Sequence, residues 1–343
     1  MTALRAAALA LLLLPVIGAG SALHAQNQTG GPPPGVDVLP PATAATPSKA
    51  PARIDLKAGK TVAKAKPDPA FGAFQRGRFK TALDLAVKRA NAQGDPVAMM
   101  LAAELLSQGY GVRQDSAAAR KWLEAAAAKG NADALFSLGS MALISSSGAE
   151  KNQSVDLLKR AAEKGNSAAA YNLGLLYLQG TVAPKEPAIA ADWFAKAADK
   201  DQPDALYALA TLYRDGNGVR QDLGEAARLL QRADEIGNPV ATTELAIMVF
   251  NGTGVPKDEA RAAELFRKAA LAGNAIAQNR YARILSAGRG VPQDRIAAAA
   301  WHTLAKAQKL DDPMLDKLVT ELTPQERTAF EAKVKAWQQA AVH

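Results

Sequence analysis

The sequence predicts an all-α protein, a right-handed α-solenoid of tandem antiparallel helix pairs. Three observations support this fold class: a repeat period of about 36 residues, two helical stripes within each period, and an alanine-rich composition with few aromatic residues. Hydrophobic residues make up 48% of the 343 residues, whereas aromatic residues make up only 5%. Alanine favours closely packed helices, and bulky β-branched residues would favour sheets.

The period is marked by small or polar residue pairs, which serve as hinges between units. Their first members are Gly94, Gly130, Gly165, Asp201, Gly237 and Gly273, so the spacings are 36, 35, 36, 36 and 36 residues. A fixed period in this range indicates a solenoid of supersecondary units. Each unit then holds two helices, and a hinge glycine ends the second helix before an asparagine caps the next one.

Both helices of a unit carry a stripe with helical spacing. In the first, helix A, an alanine is followed four positions later by a mostly apolar residue and then a small one; the alanines are Ala98, Ala134, Ala169, Ala205, Ala241 and Ala277. In the second, helix B, a large apolar residue precedes an alanine by four positions; those alanines are Ala126, Ala161, Ala197, Ala233, Ala269 and Ala305. Large residues alternating with small ones are what interlocking helix faces require.

The loop between helices A and B repeats as Gly-x-Gly-Val-x-x-Asp. Its second glycines and aspartates are Gly111 and Asp115, Gly218 and Asp222, Gly254 and Asp258, Gly290 and Asp294. A dinucleotide loop needs a third glycine after a strand, and a calcium loop needs alternating oxygen ligands; neither pattern is present. The loop is therefore interpreted as structural: the glycines make the turn, valine fills the gap between helices, and aspartate caps helix B.

Four stretches carry a family resemblance: "AAAYNLGLLYLQG" (168–180), "ADWFAKAADKD" (191–201), "GNGVRQD" (216–222) and "AAELFRKAALAGN" (262–274). They resemble the Sel-1-like repeat, a relative of the tetratricopeptide repeat. The resemblance covers six units over residues 95–310. It implies stacked helix pairs with an extended concave surface that holds protein partners.

Three departures from the repeat pattern stand out. The second unit has "SSSGAEKNQS" (145–154) in place of the loop, and the third has "GTVAPKEP" (180–187), with Glu186 near the aspartate's place. These loops are expected to bulge or to carry local contacts, and they are the loops most suited to a partner. The fourth unit has Asp234 where the second alanine of helix B belongs.

The flanking segments complete the expected domain organisation. Residues 69–94 are interpreted as an N-terminal capping helix pair, and residues 311–343 as C-terminal capping helices, because open-ended solenoids need caps. Residues 1–25 have the order of a secretory signal: a basic residue, an apolar run, then small residues. Residues 26–68 are rich in Pro, Ala and Thr and are predicted to be a disordered tether.

The signal and the absence of cysteine predict a periplasmic or secreted bacterial protein that is not integral to the membrane after the signal is removed. An uncleaved anchor is the alternative. Without cysteine, and with three histidines at positions 24, 302 and 343, catalytic triads and histidine metal sites are nearly excluded. No enzyme activity, cofactor or metal is expected. The net charge of +8 is mild and spread out, so no nucleic-acid partner is expected.

The leading functional hypothesis is a non-catalytic scaffold or adaptor that binds protein partners in the cell envelope, as the resemblance implies. The alternative is a scaffold that accompanies exopolysaccharide or peptidoglycan machinery and contacts glycan. The predicted partner-binding residues occupy variable positions of helix A, between its fixed residues: Phe136, Tyr171, Asn172, Tyr207, Glu244, Asn279 and Arg280. For Tyr171 and Tyr207, packing between repeats is the alternative.

Overall fold

The computed structural model describes residues 68–340, and its side chains through Trp337. This part of the chain forms sixteen α-helices and no strand, and consecutive helices pack against one another in pairs. The predicted all-α, paired-helix fold class is confirmed. The predicted signal peptide and nearly all of the predicted tether lie outside the described residues.

The contacts divide the described chain into two units, each treated separately. Unit 1 holds residues 68–173 and 181–183, and unit 2 holds residues 174–180 and 184–340. The helices of unit 1 are α1 (Pro69–Gln75), α2 (Phe79–Gln93), α3 (Pro96–Gln108), α4 (Ser116–Ala128), α5 (Ala132–Leu143) and α6 (Gly148–Glu163). Helix α7 (Ser167–Gln179) contains the boundary between the units.

Unit 2 continues the alternation of A and B helices. Its helices are α8 (Pro187–Ala198), α9 (Pro203–Asp215), α10 (Leu223–Glu235), α11 (Pro239–Asn251), α12 (Glu259–Leu271), α13 (Ala275–Ala287), α14 (Arg295–Ala307), α15 (Pro313–Thr320) and α16 (Pro324–Ala340). The helices with odd numbers from α3 to α13 are the predicted A helices, and those with even numbers from α4 to α14 are the predicted B helices.

The core is built from the two predicted alanine rows. All six helix A alanines and all six helix B alanines are fully buried, with 0% exposure. The small residues of helix A allow a close approach of helix B. A Cβ atom added at Gly139 would lie 3.0 Å from Leu158, and one added at Gly174 would lie 2.4 Å from Phe194. Larger residues at these positions would force the helix pair apart.

Asparagine and glycine form the hinges as the sequence predicts. The side chain of Asn131 accepts a hydrogen bond from the amide of Ala134 (2.8 Å), and Asn166 and Asn274 cap α7 and α13 in the same way. The hinge glycines Gly130 and Gly165 have positive φ angles of 79° and 92°. Their conformation lets each B helix end sharply before the next A helix begins.

The Gly-x-Gly-Val-x-x-Asp loops join consecutive repeats as well as the two helices of one repeat. Asp115, Asp222, Asp258 and Asp294 each accept a hydrogen bond from the backbone at the start of a B helix. The second glycine approaches the preceding B helix at its first residue: a Cβ added at Gly218 would lie 2.3 Å from the carbonyl carbon of Pro187. Gly254 and Gly290 approach Leu223 and Glu259 equally closely.

The second repeat connects its helices without such a loop. Helix α5 ends at Leu143, four residues follow, and α6 begins at Gly148, so this connection is shorter than the others and does not bulge. It does carry local contacts, because Ser147 caps α6 and its amide donates to the hydroxyl of Ser145 (3.1 Å). Helix α6 has 16 residues, whereas α4, α10, α12 and α14 have 13.

The flanking helices pack onto the repeats at both ends. Helices α1 and α2 form one hydrophobic cluster with α3, centred on the buried Ala82 and Leu105. At the other end, Trp337 of α16 is 3% exposed and its ring centroid lies 4.9 Å from that of Trp301. Thr323 and Glu326 form a capping box at the start of α16, because each accepts a hydrogen bond from the other's amide.

Candidate interaction surface

The predicted partner-binding residues all lie on A helices, but their exposure differs. Arg280 is exposed, whereas Phe136, Asn172, Tyr207, Glu244 and Asn279 are half-buried. Tyr171 is 7% exposed. Its burial favours the packing interpretation that the sequence left open for this residue.

Tyr207 and Glu244 belong to one polar cluster that spans α9 and α11 in unit 2. The Nη1 atom of Arg214 lies 3.0 Å from Oε2 of Glu244, and its Nε atom lies 3.0 Å from Oδ1 of Asp215. Burial, and then the negative charge of Glu244, raise the pKa of Tyr207. The cluster therefore presents an aromatic ring beside an arginine, and tyrosine and arginine are both enriched among the residues that dominate binding energy at interfaces.

Asn279 lies in a second cluster, at the start of α15. Its Nδ2 atom donates to Oδ2 of Asp312 (2.7 Å), and the Nε atom of Arg283 donates to the same oxygen (2.5 Å). Asp312 is only 2% exposed and also caps α15. Although burial opposes ionisation, the hydrogen bonds from Arg283 and Asn279 hold its pKa at about 2. This part of the predicted surface is occupied by contacts within the chain.

The predicted partner-binding residues did not include Arg214, Arg283 or Asp312. Arg214 and Arg283 occupy helix A positions at which the other repeats carry serine, leucine or other residues, so no repeated signal marks them. Their partners are about 30 residues away in sequence: 30 for Glu244 and 29 for Asp312. An arginine and an acidic residue that are separated in sequence by nearly one repeat are the only signal that could have indicated these pairs.

Asp234, the departure from the alanine pattern, is buried in a polar network. Its Oδ1 atom accepts from the hydroxyl of Thr242 (2.6 Å) and from Nζ of Lys268 (2.6 Å). Asp234 is 6% exposed and Thr242 is 1% exposed, whereas the Lys268 side chain is 52% exposed. The buried carboxylate thus has both a hydroxyl and a cation as partners, which burial of a charge requires.

His302 is a packing residue rather than an exposed base. It is 1% exposed, and its Nε2 atom lies 2.9 Å from Oδ1 of Asp316. Within residues 68–337, no group of three or more His, Cys, Asp or Glu side chains could hold a metal ion. None of the described helices combines the length and the apolarity that a membrane crossing requires.

The two irregular loops differ in structure. In the second repeat, Ile144 is the first residue of the short connection and is 56% exposed, and Nη2 of Arg120 lies 3.4 Å from Oε1 of Glu150 in the first turn of α6. In the third repeat, Glu186 is at the capping position of α8 but makes no side-chain cap hydrogen bond. The suitability of these loops for a partner stays a prediction, as does partner binding by the helix A residues.

The family models and the solved structures indicate the same family for this chain. A model of the Sel1 repeat matches residues 96–131, 132–166, 167–202, 203–235, 239–274 and 275–310. These matches reproduce the six repeats expected from the hinge spacing. Among the curated proteins, none matches the chain.

Solved structures of similar proteins include a Sel1 repeat protein from Oxalobacter formigenes. It is 28% identical to this chain, the alignment covers 74% of this chain and 77% of that one, and the TM-score is 0.61. A protective antigen of uropathogenic Escherichia coli strains that displays an SLR fold is 25% identical, with 76% and 66% of the two chains covered and a TM-score of 0.49. The first of these alignments supports the same solenoid fold over most of the chain.

Proposed function

Because the chain belongs to the Sel1 repeat family, we propose that it is a non-catalytic adaptor that binds protein partners in the bacterial periplasm through its A helices. Helical repeats of this kind are scaffolds for protein–protein interaction. Export is proposed from the signal-like order of residues 1–25 and the absence of cysteine. The role in assembling or regulating the cell envelope is proposed from the family resemblance alone.

The choice of the A-helix surface as the binding site rests on one observation. In unit 2 the A helices present half-buried Tyr207, the ion pair of Arg214 with Glu244, and the exposed Arg280. Tyrosine and arginine are the residue types that most often dominate binding energy, and a half-buried ring is already partly immobilised before a partner binds. The surface is therefore suited to a partner that offers both an apolar side chain and a carboxylate.

The test is recovery of partners from an envelope extract by the wild-type protein and by matched arginine variants. Arg280→Ala removes an exposed guanidinium from an A helix, whereas Arg261→Ala removes one from a B helix, where it pairs with Glu264 three residues away. We expect Tyr207→Ala combined with Arg280→Ala to weaken binding of a recovered partner about 30-fold, which is a loss of about 2 kcal/mol. Arg261→Ala should bind like the wild type.

Other outcomes would redirect the proposal. Equal binding by both variants would exclude the A-helix surface, and retention only on purified peptidoglycan or exopolysaccharide would replace the protein partner by glycan. Hydrolytic activity in a homogeneous preparation would contradict the non-catalytic role.

Fractionation of cells should place the mature protein in the periplasm, with an N-terminus near Gln26; a cytoplasmic protein with an intact N-terminus would contradict export.

A further inference from the structure

Four aromatic rings form one cluster among the first helices of unit 1. Phe71 and Phe74 come from α1, Phe79 from α2, and Tyr110 from the loop between α3 and α4. The ring centroid of Phe74 lies 6.2 Å from that of Phe71 and 5.7 Å from that of Phe79. The rings of Phe79 and Tyr110 stack at 5.1 Å. We call these four residues the aromatic cluster.

One side of the aromatic cluster is packed and the other is open to solvent. Phe74, Phe79 and Tyr110 are half-buried and pack against the core of Ala73, Ala82 and Leu105. Phe71 is 49% exposed, the second-highest exposure among the large hydrophobic side chains of α1 to α4 after Val97. Exposed apolar surface of this kind marks binding sites, and aromatic-lined surfaces bind polyproline helices in particular.

The chain itself supplies a segment of matching chemistry. Residues 31–41 read "GPPPGVDVLPP", with three consecutive prolines at 32–34 and two more at 40–41. The described structure begins at Asp68, three residues before Phe71. About 27 residues separate Pro41 from Asp68, and a flexible chain of that length spans about 30 Å. The segment is thus tethered within reach of the aromatic cluster, at an effective concentration on the order of millimolar.

Dimensions and charge favour this occupant. The distance from the Phe71 ring to the Phe74 ring and the distance from the Phe74 ring to the Phe79 ring together match the length of about four residues of a polyproline helix, which rises about 3.1 Å per residue. The connection from α1 to α2 carries the exposed Arg76 and Arg78, and Asp37 follows the proline run by three residues. Consecutive prolines also lose little conformational entropy on binding.

We propose that the aromatic cluster binds the chain's own proline-rich segment, residues 31–41. The prolines stack on the exposed faces of Phe71 and Phe74, and the carboxylate of Asp37 lies toward Arg76 and Arg78. Binding covers apolar surface on the flanking helices α1 and α2, at the end of the solenoid where a polar outer face is otherwise required.

Photo-crosslinking in the full chain tests the proposal. The change Phe71→p-benzoylphenylalanine places a photoreactive ring in the cluster, and Ile276→p-benzoylphenylalanine places one at a similarly exposed position, 50% exposed, in unit 2. After irradiation of the purified protein, mass spectrometry should find crosslinks from position 71 to residues 31–41 within one molecule. Their yield should be at least fivefold higher than from position 276 and independent of protein concentration.

A second variant distinguishes specific binding from proximity. Replacing Pro32, Pro33, Pro34, Pro40 and Pro41 by serine keeps the tether length but removes the polyproline run, and it leaves residues 68–340 unchanged, so folding is not at risk. We expect this variant to lose most of the crosslinks from position 71. An unchanged yield, or crosslinks spread evenly over residues 26–67, would overturn the proposal. Crosslinks that form only between molecules would show a second copy as the occupant, and crosslinks to added peptidoglycan fragments in place of residues 31–41 would show glycan.

Discussion

The fifth and second repeats join their two helices in different ways. In the fifth, α11 ends at Asn251, the loop runs from Gly252 to Asp258, and α12 has 13 residues. In the second, four residues lie between α5 and α6, and α6 has 16 residues. Compared with the fifth repeat, the second has a connection that is three residues shorter and a B helix that is three residues longer. The spacing of the hinges therefore changes by only one residue, from 36 to 35.

The difference distinguishes two roles of the loop: it joins the two helices of one repeat, and it contacts the preceding repeat. In the fifth repeat the loop also contacts the preceding repeat, because a Cβ added at Gly254 would lie 2.4 Å from the carbonyl oxygen of Leu223 in α10. In the second repeat a Cβ added at Gly148 would meet nothing within 4 Å. The alanine rows are nevertheless fully buried in both repeats. The helix faces therefore maintain the period, and the loop contact strengthens it only where the loop is present.

The largest expected effect comes from adding a methyl group at the loop contact. Gly254 has a φ angle of 72° and lies against backbone that cannot move aside, so Gly254→Ala should destabilise unit 2 by about 3 kcal/mol. Gly148→Ala places a better helix former in open space and should be neutral or stabilising by about 0.5 kcal/mol. Urea unfolding midpoints of both variants measure the contrast. Equal losses would mean that the loop contact contributes nothing particular to stability.

A smaller effect is expected from the caps of the two B helices. The side chain of Asp258 accepts a hydrogen bond from the amide of Arg261 at 2.9 Å, whereas the hydroxyl of Ser147 lies 3.4 Å from the amide of Glu150. Asp258→Ala should cost about 1 kcal/mol, and Ser147→Ala about half as much. Hydrogen exchange of the first-turn amides of α12 and α6 would report each loss locally. A larger cost for Ser147→Ala would show that the short connection depends on its cap more than the long loop does.

The smallest expected effect is a pH dependence in the loop of the sixth repeat. Hydrogen bonds from Arg289 and then Lys257 lower the pKa of Glu259 from 4.5 to about 2, and Arg289 lies between the two loop glycines. Because the folded-state pKa is the lower one, this stabilisation is present above about pH 4.5 and is lost as the pH falls toward 2. Arg289→Gln should therefore weaken the acid dependence of unfolding between pH 5 and 2, as measured by thermal midpoints at low salt.

A control on the same ion pair uses the salt concentration. Glu259 is only partly shielded from water, so the difference between wild type and Arg289→Gln should shrink at high salt. A difference that is the same at pH 7 and pH 2 would contradict the assignment to this carboxylate.

Several features of the fold could be predicted from the sequence because their signals are local or periodic. Asn131 and Asp115 cap helices because a short polar side chain reaches the amide two or three residues ahead, whatever the rest of the chain does. The alanine rows could be placed because helical spacing and the 36-residue period place them on the same face in every repeat.

The course of the second connection could not be predicted in the same way. The residues "SSSGAEKNQS" are compatible with a loop or with a helix preceded by a serine cap. The structure forms the helix, and it brings Glu150 of α6 to Arg120 of α4, 30 residues away in sequence. A contact over that separation leaves no local signal in the sequence. Of the two alternatives expected for this loop, a bulge or local contacts, the structure shows the local contacts.

From the sequence, the candidate surface could be assigned to the A helices, but the exposure and the contacts of its residues could not be predicted. The sequence by itself determined the helix pairs, their caps, the six repeats and the buried alanine rows, because each depends on neighbouring residues or on a fixed period. Only the tertiary structure decided that Tyr171 is buried, that Asp312 holds Asn279 and Arg283, and that Thr242 and Lys268 compensate Asp234. The Asp234 network joins the fourth and fifth repeats, and the Asp312 contacts join the sixth repeat to the C-terminal flanking helices. Because these partners vary along the chain, no period in the sequence marks them.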